Sequence, residues 1–175
     1  MKSRDIYKIA VAFRAAIVSA KCDRRFHFRD RMSNFPGGCC DDSCDLLAYY
    51  LYATYKIHTR QGVGTYRDND PNNTTGHAWL IMDDATIIDI TGDQFRYCAG
   101  YTQEVYVGKE TSFYKKLERK QIQDNYDITE NARLWNDYQI IINYMSWMEL
   151  HIDVDYYNCK GCGQNEKNSS FYGKK

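Results

Sequence analysis

The stretch Phe35-Pro36-Gly37-Gly38-Cys39-Cys40-Asp41-Asp42-Ser43-Cys44-Asp45-Leu46-Leu47-Ala48 decides how this chain is read. A Pro-Gly-Gly turn leads into residues that start a helix near Cys40. Leu46, Leu47, Tyr50 and Leu51 give that helix its apolar stripe, and Asp41, Asp42 and Ser43 give it first-turn acceptors and negative charge. A cysteine at a helix N-terminus faces unsatisfied N–H groups and the positive end of the dipole, which favours the thiolate. The same N–H groups can hold an oxyanion once the thiolate attacks a carbonyl. Asp41, Asp42 and Asp45 oppose this by cancelling part of the positive field. A histidine is therefore needed as ion-pair partner and base, and an acid to fix its tautomer.

Downstream, Gly76-His77-Ala78-Trp79-Leu80 and Ile87-Ile88-Asp89-Ile90-Thr91 supply both on two apolar strands, His77–Met82 and Thr86–Thr91, with Asp83-Asp84 in the turn between them. Asp89 stands twelve residues after His77. Side chains alternate faces along a strand, so the two share a face only if paired positions sum to an even number. That requires an odd-length loop, such as Met82–Asp84 or Asp83–Ala85, or a bulge. A strict two-residue turn would put Asp89 on the wrong face. Adjacent helical residues point about 100° apart, so only one of Cys39 and Cys40 can face His77. Cys40 is favoured, Cys39 is the alternative, and Cys44 packs one turn below.

Those segments, extended through Gly92-Asp93-Gln94-Phe95, resemble the transglutaminase-like branch of the papain-like cysteine enzymes. Gly-Gly-x-Cys is similar to the nucleophile motif of arylamine N-acetyltransferases, and the His-to-Asp spacing to the leader-peptide proteases of lasso-peptide maturation. The resemblance covers roughly residues 35–107. It implies Cys40, His77 and Asp89 as nucleophile, base and orienting acid. The order helix, helix, strands, helices itself reads as an α+β domain, and the resemblance implies the nucleophile helix packed on a small antiparallel sheet with extra C-terminal helices. Pro36 stands where the acetyltransferase motif has arginine, which speaks against that activity. Papain-like enzymes carry a side-chain amide six residues before the nucleophile, the position of Asn34 here; a turn-forming asparagine is the plainer reading. Gln94 is a second amide near the aspartate strand, and Trp79 shares the His77 face and can shield the pair from water.

The rest of the 175 residues sets bounds. One domain is expected over residues 1–155, with a mobile 156–175 tail. Lys+Arg and Asp+Glu number 23 each, so no net charge draws the chain to nucleic acid or an anionic membrane. No apolar run reaches a membrane span. Ile9–Ala20 has a basic flank and ends Val18-Ser19-Ala20, but Arg14 and Asp5 mark it as amphipathic helix rather than signal peptide. Residues 4–20 are expected as that helix and 21–32 as a solvated connector. A strand is expected over 57–67, a short one over Glu104–Val107, and helices over 111–125 and 128–148. Seven cysteines form no regular framework, so reduced thiols and a cytoplasmic location are expected. Cys159-x-x-Cys162 is half a zinc knuckle that His151 and Cys98 could complete only if the tail folded back. No metal or cofactor is expected.

The function expected is a thiol-dependent hydrolase acting through a thioester on a protein, a peptide or a small amide. Transglutaminase or acyltransferase chemistry with the same residues is the first alternative. A non-catalytic binding module on this fold is the second.

Overall fold

The computed structural model describes residues 3–67 and 74–151, with side chains through 147. The helix expected at the N-terminus is α1, Ser3–Cys22, burying Ile6, Ala10, Phe13, Ile17 and Ala20 along one face. The nucleophile helix α2 runs Cys40–Tyr55, with Cys39 at its N-cap. β1 (Thr59–Arg67), β2 (Thr74–Met82), β3 (Ile87–Asp89), β4 (Tyr106–Gly108) and β5 (Glu118–Gln123) form one antiparallel sheet in the order β4-β3-β2-β1-β5. Short α3 (Ser112–Lys116) precedes β5, and α4 (Ala132–His151) follows it. The fold is α+β.

Two apolar layers meet at the sheet. Ala78, Leu80, Ile88 and Ile90 join α1, α2 and α4 in the main core. Trp79, Ile87, Phe95, Phe113, Tyr114 and Leu117 form a smaller, aromatic cluster. The alternation of β2 thus divides its residues between the two layers.

The expected helix over 111–125 is wrong beyond Lys116. Glu118–Gln123 is an edge strand paired with β1 and exposed throughout. Glu, Arg, Lys and Gln favour helix locally, but pairing with β1 overrides so weak a preference. The charges also keep an open edge from pairing with other chains. The expected 21–32 connector is not wholly solvated: Phe26, Asp30 and Met32 are buried, and Asp30 Oδ1 caps a short 3₁₀ turn by accepting the Met32 N–H. Cys22 is disulfide-bonded, so the expectation of reduced thiols fails there. Among the described residues no helix is long and apolar enough to cross a membrane.

Gly62 carries a close approach. It faces Trp79 across β1 and β2, and a Cβ at 62 would lie 2.5 Å from the indole. Trp79 is 3% exposed and has nowhere to retreat. Gly62→Ala is expected to cost about 1–3 kcal/mol of stability by overpacking. Thermal unfolding checks this; an unchanged midpoint would mean that the indole yields freely.

Candidate active site

The β2–β3 register pairs Leu80 with Ile88 and Ile81 with Ile87, so paired positions sum to an even number. The loop is Asp83-Asp84-Ala85, one of the two odd-length loops expected, rather than a tight Asp83-Asp84 turn. The Ala85 N–H reaches Met82 O and the Met82 N–H reaches Thr86 O. Ala85 sits at φ 61°, the left-handed residue a three-residue hairpin needs. This register puts His77 and Asp89 on one face, where His77 Nε2 and Asp89 Oδ2 stand 2.7 Å apart with both side chains at most 1% exposed.

Asp89 is held from every side. Its Oδ1 accepts the Thr91 N–H at 2.8 Å and the Thr91 hydroxyl at 3.3 Å; its Oδ2 accepts the Tyr114 hydroxyl at 2.9 Å. Burial alone would raise the carboxyl, but His77 and these donors hold it below its ordinary value. Asp89 is therefore the anion, and the imidazole donates from Nε2–H. Burial pushes the His77 imidazole down. The Asp89 charge and hydrogen bond outweigh burial, and with Cys40 alongside they raise it to about 9. Trp79, Phe95 and Phe113 rings surround the imidazole with centroids 4.9–6.0 Å away.

Of the adjacent cysteines, Cys40 is the one beside His77. It is half-buried, and its proximity to the ring is among the causes that raise the imidazole. Cys39 is fully buried, contacts the Ser43 hydroxyl at 3.8 Å, and is pushed by burial to about 12. Cys44 is buried below, its thiol raised well above its ordinary value by desolvation. The first helical bond of α2 runs from the Ser43 N–H to Cys39 O, so the N–H groups of Cys40, Asp41 and Asp42 precede the ladder.

The acids of that first turn are less of an opposing field than their number suggests. Asp41 pairs with Arg31. Asp42 takes a bidentate pair from Arg133 at 2.9 and 3.0 Å. Asp45 accepts the Tyr126 N–H at 2.9 Å, and burial raises its carboxyl to about 6, toward the neutral form.

The outlying candidates separate. Gln94, in a 3₁₀ turn after β3, places Nε2 2.9 Å from His77 Nδ1. Trp79 packs at the imidazole, as expected. Asn34 is exposed, ends the turn before Phe35 and makes no side-chain hydrogen bond to Cys40, His77 or Asp89; its carbonyl accepts the Gly37 N–H. It acts as a turn former. Tyr114 was not legible as a site residue: the region past 110 reads as packing, and only its 25-residue return to Asp89 reveals the contact. Cys98 is exposed, and among the described residues no group of three or more His, Cys, Asp or Glu is placed to hold a metal. Cys159, Cys162 and the expected tail lie outside the described residues, as does the side chain of His151.

Comparison with family models, with curated proteins and with solved structures found no match to this chain.

Proposed function

We propose that this protein is a thiol-dependent hydrolase of the transglutaminase-like type, cleaving an amide bond of a protein, peptide or small amide. The observation that carries the reading is the buried His77–Asp89 pair, 2.7 Å long, with a half-buried Cys40 beside it at a helix start. His77 Nδ1 takes the Cys40 proton, and the thiolate attacks the substrate carbonyl. The oxyanion forms against the first-turn N–H groups of α2, each such donor being worth about 3–4 kcal/mol where it has been removed elsewhere. His77 then gives its proton to the leaving amine, and a thioester remains on Cys40. Water, deprotonated by His77, attacks the thioester; the acid leaves and the thiol is restored. An amine acceptor in place of water would give acyl transfer through the same residues. Hydrolysis is preferred because water is the default acceptor and no second-substrate site is legible.

The test is iodoacetamide alkylation across pH, with each modified cysteine mapped by mass spectrometry. Cys40 is expected to label faster than the other cysteines at about pH 7, as a thiol with a base beside it does. His77→Ala should slow it by about 10²-fold, the lower range for loss of a positioned base. Exposed Cys98 serves as the reference thiol, and buried Cys39 and Cys44 should stay unlabelled. Cys40 labelling no faster than Cys98, with an ordinary profile near about pH 8.5, would overturn the enzyme reading and favour a binding module.

A further inference from the structure

His77 Nδ1 is the atom that must receive the thiol proton, and it is already engaged. Gln94 Nε2 lies 2.9 Å from it and 3.1 Å from Thr91 O. The second contact settles which end of the amide is nitrogen, because a carbonyl oxygen accepts only from N–H. The amide thus anchors one N–H on Thr91 O and aims the other at Nδ1. Nδ1 then presents its lone pair, and Nε2–H goes to Asp89. Protonating Nδ1 sets donor against donor; turning the amide over sets acceptor against acceptor at Thr91 O. The Gln94 amide satisfies both contacts only when the imidazole is neutral.

The mount is stiff. Arg14 of α1 is 7% exposed and grips Asp93, the residue before Gln94, through two bonds of 3.0 and 2.8 Å, while also donating to Ile90 O. Bidentate pairing fixes orientation as well as distance. The 3₁₀ turn that carries Gln94 is therefore tied to α1 on one side and, through Thr91, to Asp89 on the other.

We infer that Gln94 is a positioning residue that biases His77 toward the neutral, proton-accepting imidazole, opposing the pull of Asp89 and Cys40 toward the imidazolium. The inference rests on the proposed role of His77. The groups that face the ring are Asp89, itself bound by Tyr114, and Cys40, with the Arg14–Asp93 pair one residue from Gln94. Asp89 and Cys40 favour the charged ring; only Gln94 donates to the neutral one. Its consequence falls on the steps where His77 must be a base, thiol deprotonation and water activation.

The test separates this from the enzyme reading by removing the thiol. In Cys40→Ala protein, His77 is titrated by nitrogen-15 NMR with Gln94 intact and as Gln94→Met, which keeps length and loses both donors. Loss of a hydrogen bond to the neutral form should move the titration up by about 0.5–1 pH unit. A role in packing alone predicts the opposite sign, since a loosened turn would weaken the Asp89 contact and let burial pull the ring down. A fall, or no change, overturns the inference. Gln94→Glu, which can accept from Nδ1–H, should move the titration further up, and failure to do so also counts against it. The Cys40 alkylation assay is independent: it can fail while this titration succeeds.

Discussion

Asp89→Asn is expected to slow Cys40 alkylation at about pH 7 by 10²-fold or more, in line with the loss that follows an amide in place of a triad aspartate. It should also pull the His77 titration below about 6.5, the ordinary histidine value. In the native protein His77 is raised to about 9. Burial lowers the imidazole and Asp89 raises it, so deleting the anion leaves the lowering cause in command. The sign for stability agrees. A histidine raised above its unfolded value contributes stability that is full below about pH 6.5 and lost as pH climbs through about 9. Asp89, held low, contributes stability present above about pH 4 and lost as pH falls through its depressed value. The amide also meets a geometric conflict: Oδ2 accepts from both His77 and Tyr114. An NH2 group there would confront two donors. Turned over, the NH2 group would face the Thr91 N–H instead. The alkylation rate at pH 7 and the His77 titration measure the two halves. A His77 titration still near 9 would mean that Asp89 does not set the charge on the ring.

Much of this site was legible because its parts are local. The helix start at Cys40 shows in a Gly-Gly turn followed by acids and an i, i+3, i+4 apolar stripe. The common face of His77 and Asp89 follows from parity, and the three-residue Asp83–Ala85 loop satisfies it. What stayed hidden depends on distant pairing. Glu118–Gln123 carries a helical composition, and only β1, more than fifty residues earlier, makes it a strand. Tyr114 reads as one aromatic among sixteen tyrosines until the chain returns it to Asp89. Gln94 was visible as an amide near the acid, but its aim at Nδ1 needs the Arg14–Asp93 clamp, 79 residues apart. The acids beside Cys40 were read as an opposing field because their cations, Arg31 and Arg133, lie 10 and 91 residues away.

Arg133→Met should expose how much α2 depends on that pairing. Arg133 binds Asp42 through both terminal guanidinium nitrogens, and reaches Asp30 at 3.3 Å and Asp137 at 3.5 Å. The three carboxylates are 2–6% exposed, while Arg133 itself is 38% exposed. Removing one partner strands buried charge, which commonly costs 3–5 kcal/mol; discounted for the exposed cation, about 2–3 kcal/mol is expected. For a chain of this length that lowers the unfolding midpoint by roughly 5–10 °C. The pH dependence carries the diagnosis. Asp137 already has its carboxyl raised to about 7, by burial first and then by the charges of Asp30 and Asp42. Without Arg133, the cation that lowers it, Asp137 should rise further, so the folded state holds more protons than the unfolded one. Stability then falls as pH increases above about 4, and the deficit against the native protein should be large at pH 8 and small at pH 5. Adding Asp137→Asn should recover part of the loss at pH 8, because the amide supplies a donor to Asp30 without a charge. A deficit equal at both pH values would instead assign the effect to lost packing of the arginine stem. The same variant tests the link to chemistry: Asp42 sits in the first turn of α2, and an anion left there with only Arg31 at 3.5 Å should lower the reactivity of Cys40 at pH 7 while leaving exposed Cys98 unchanged.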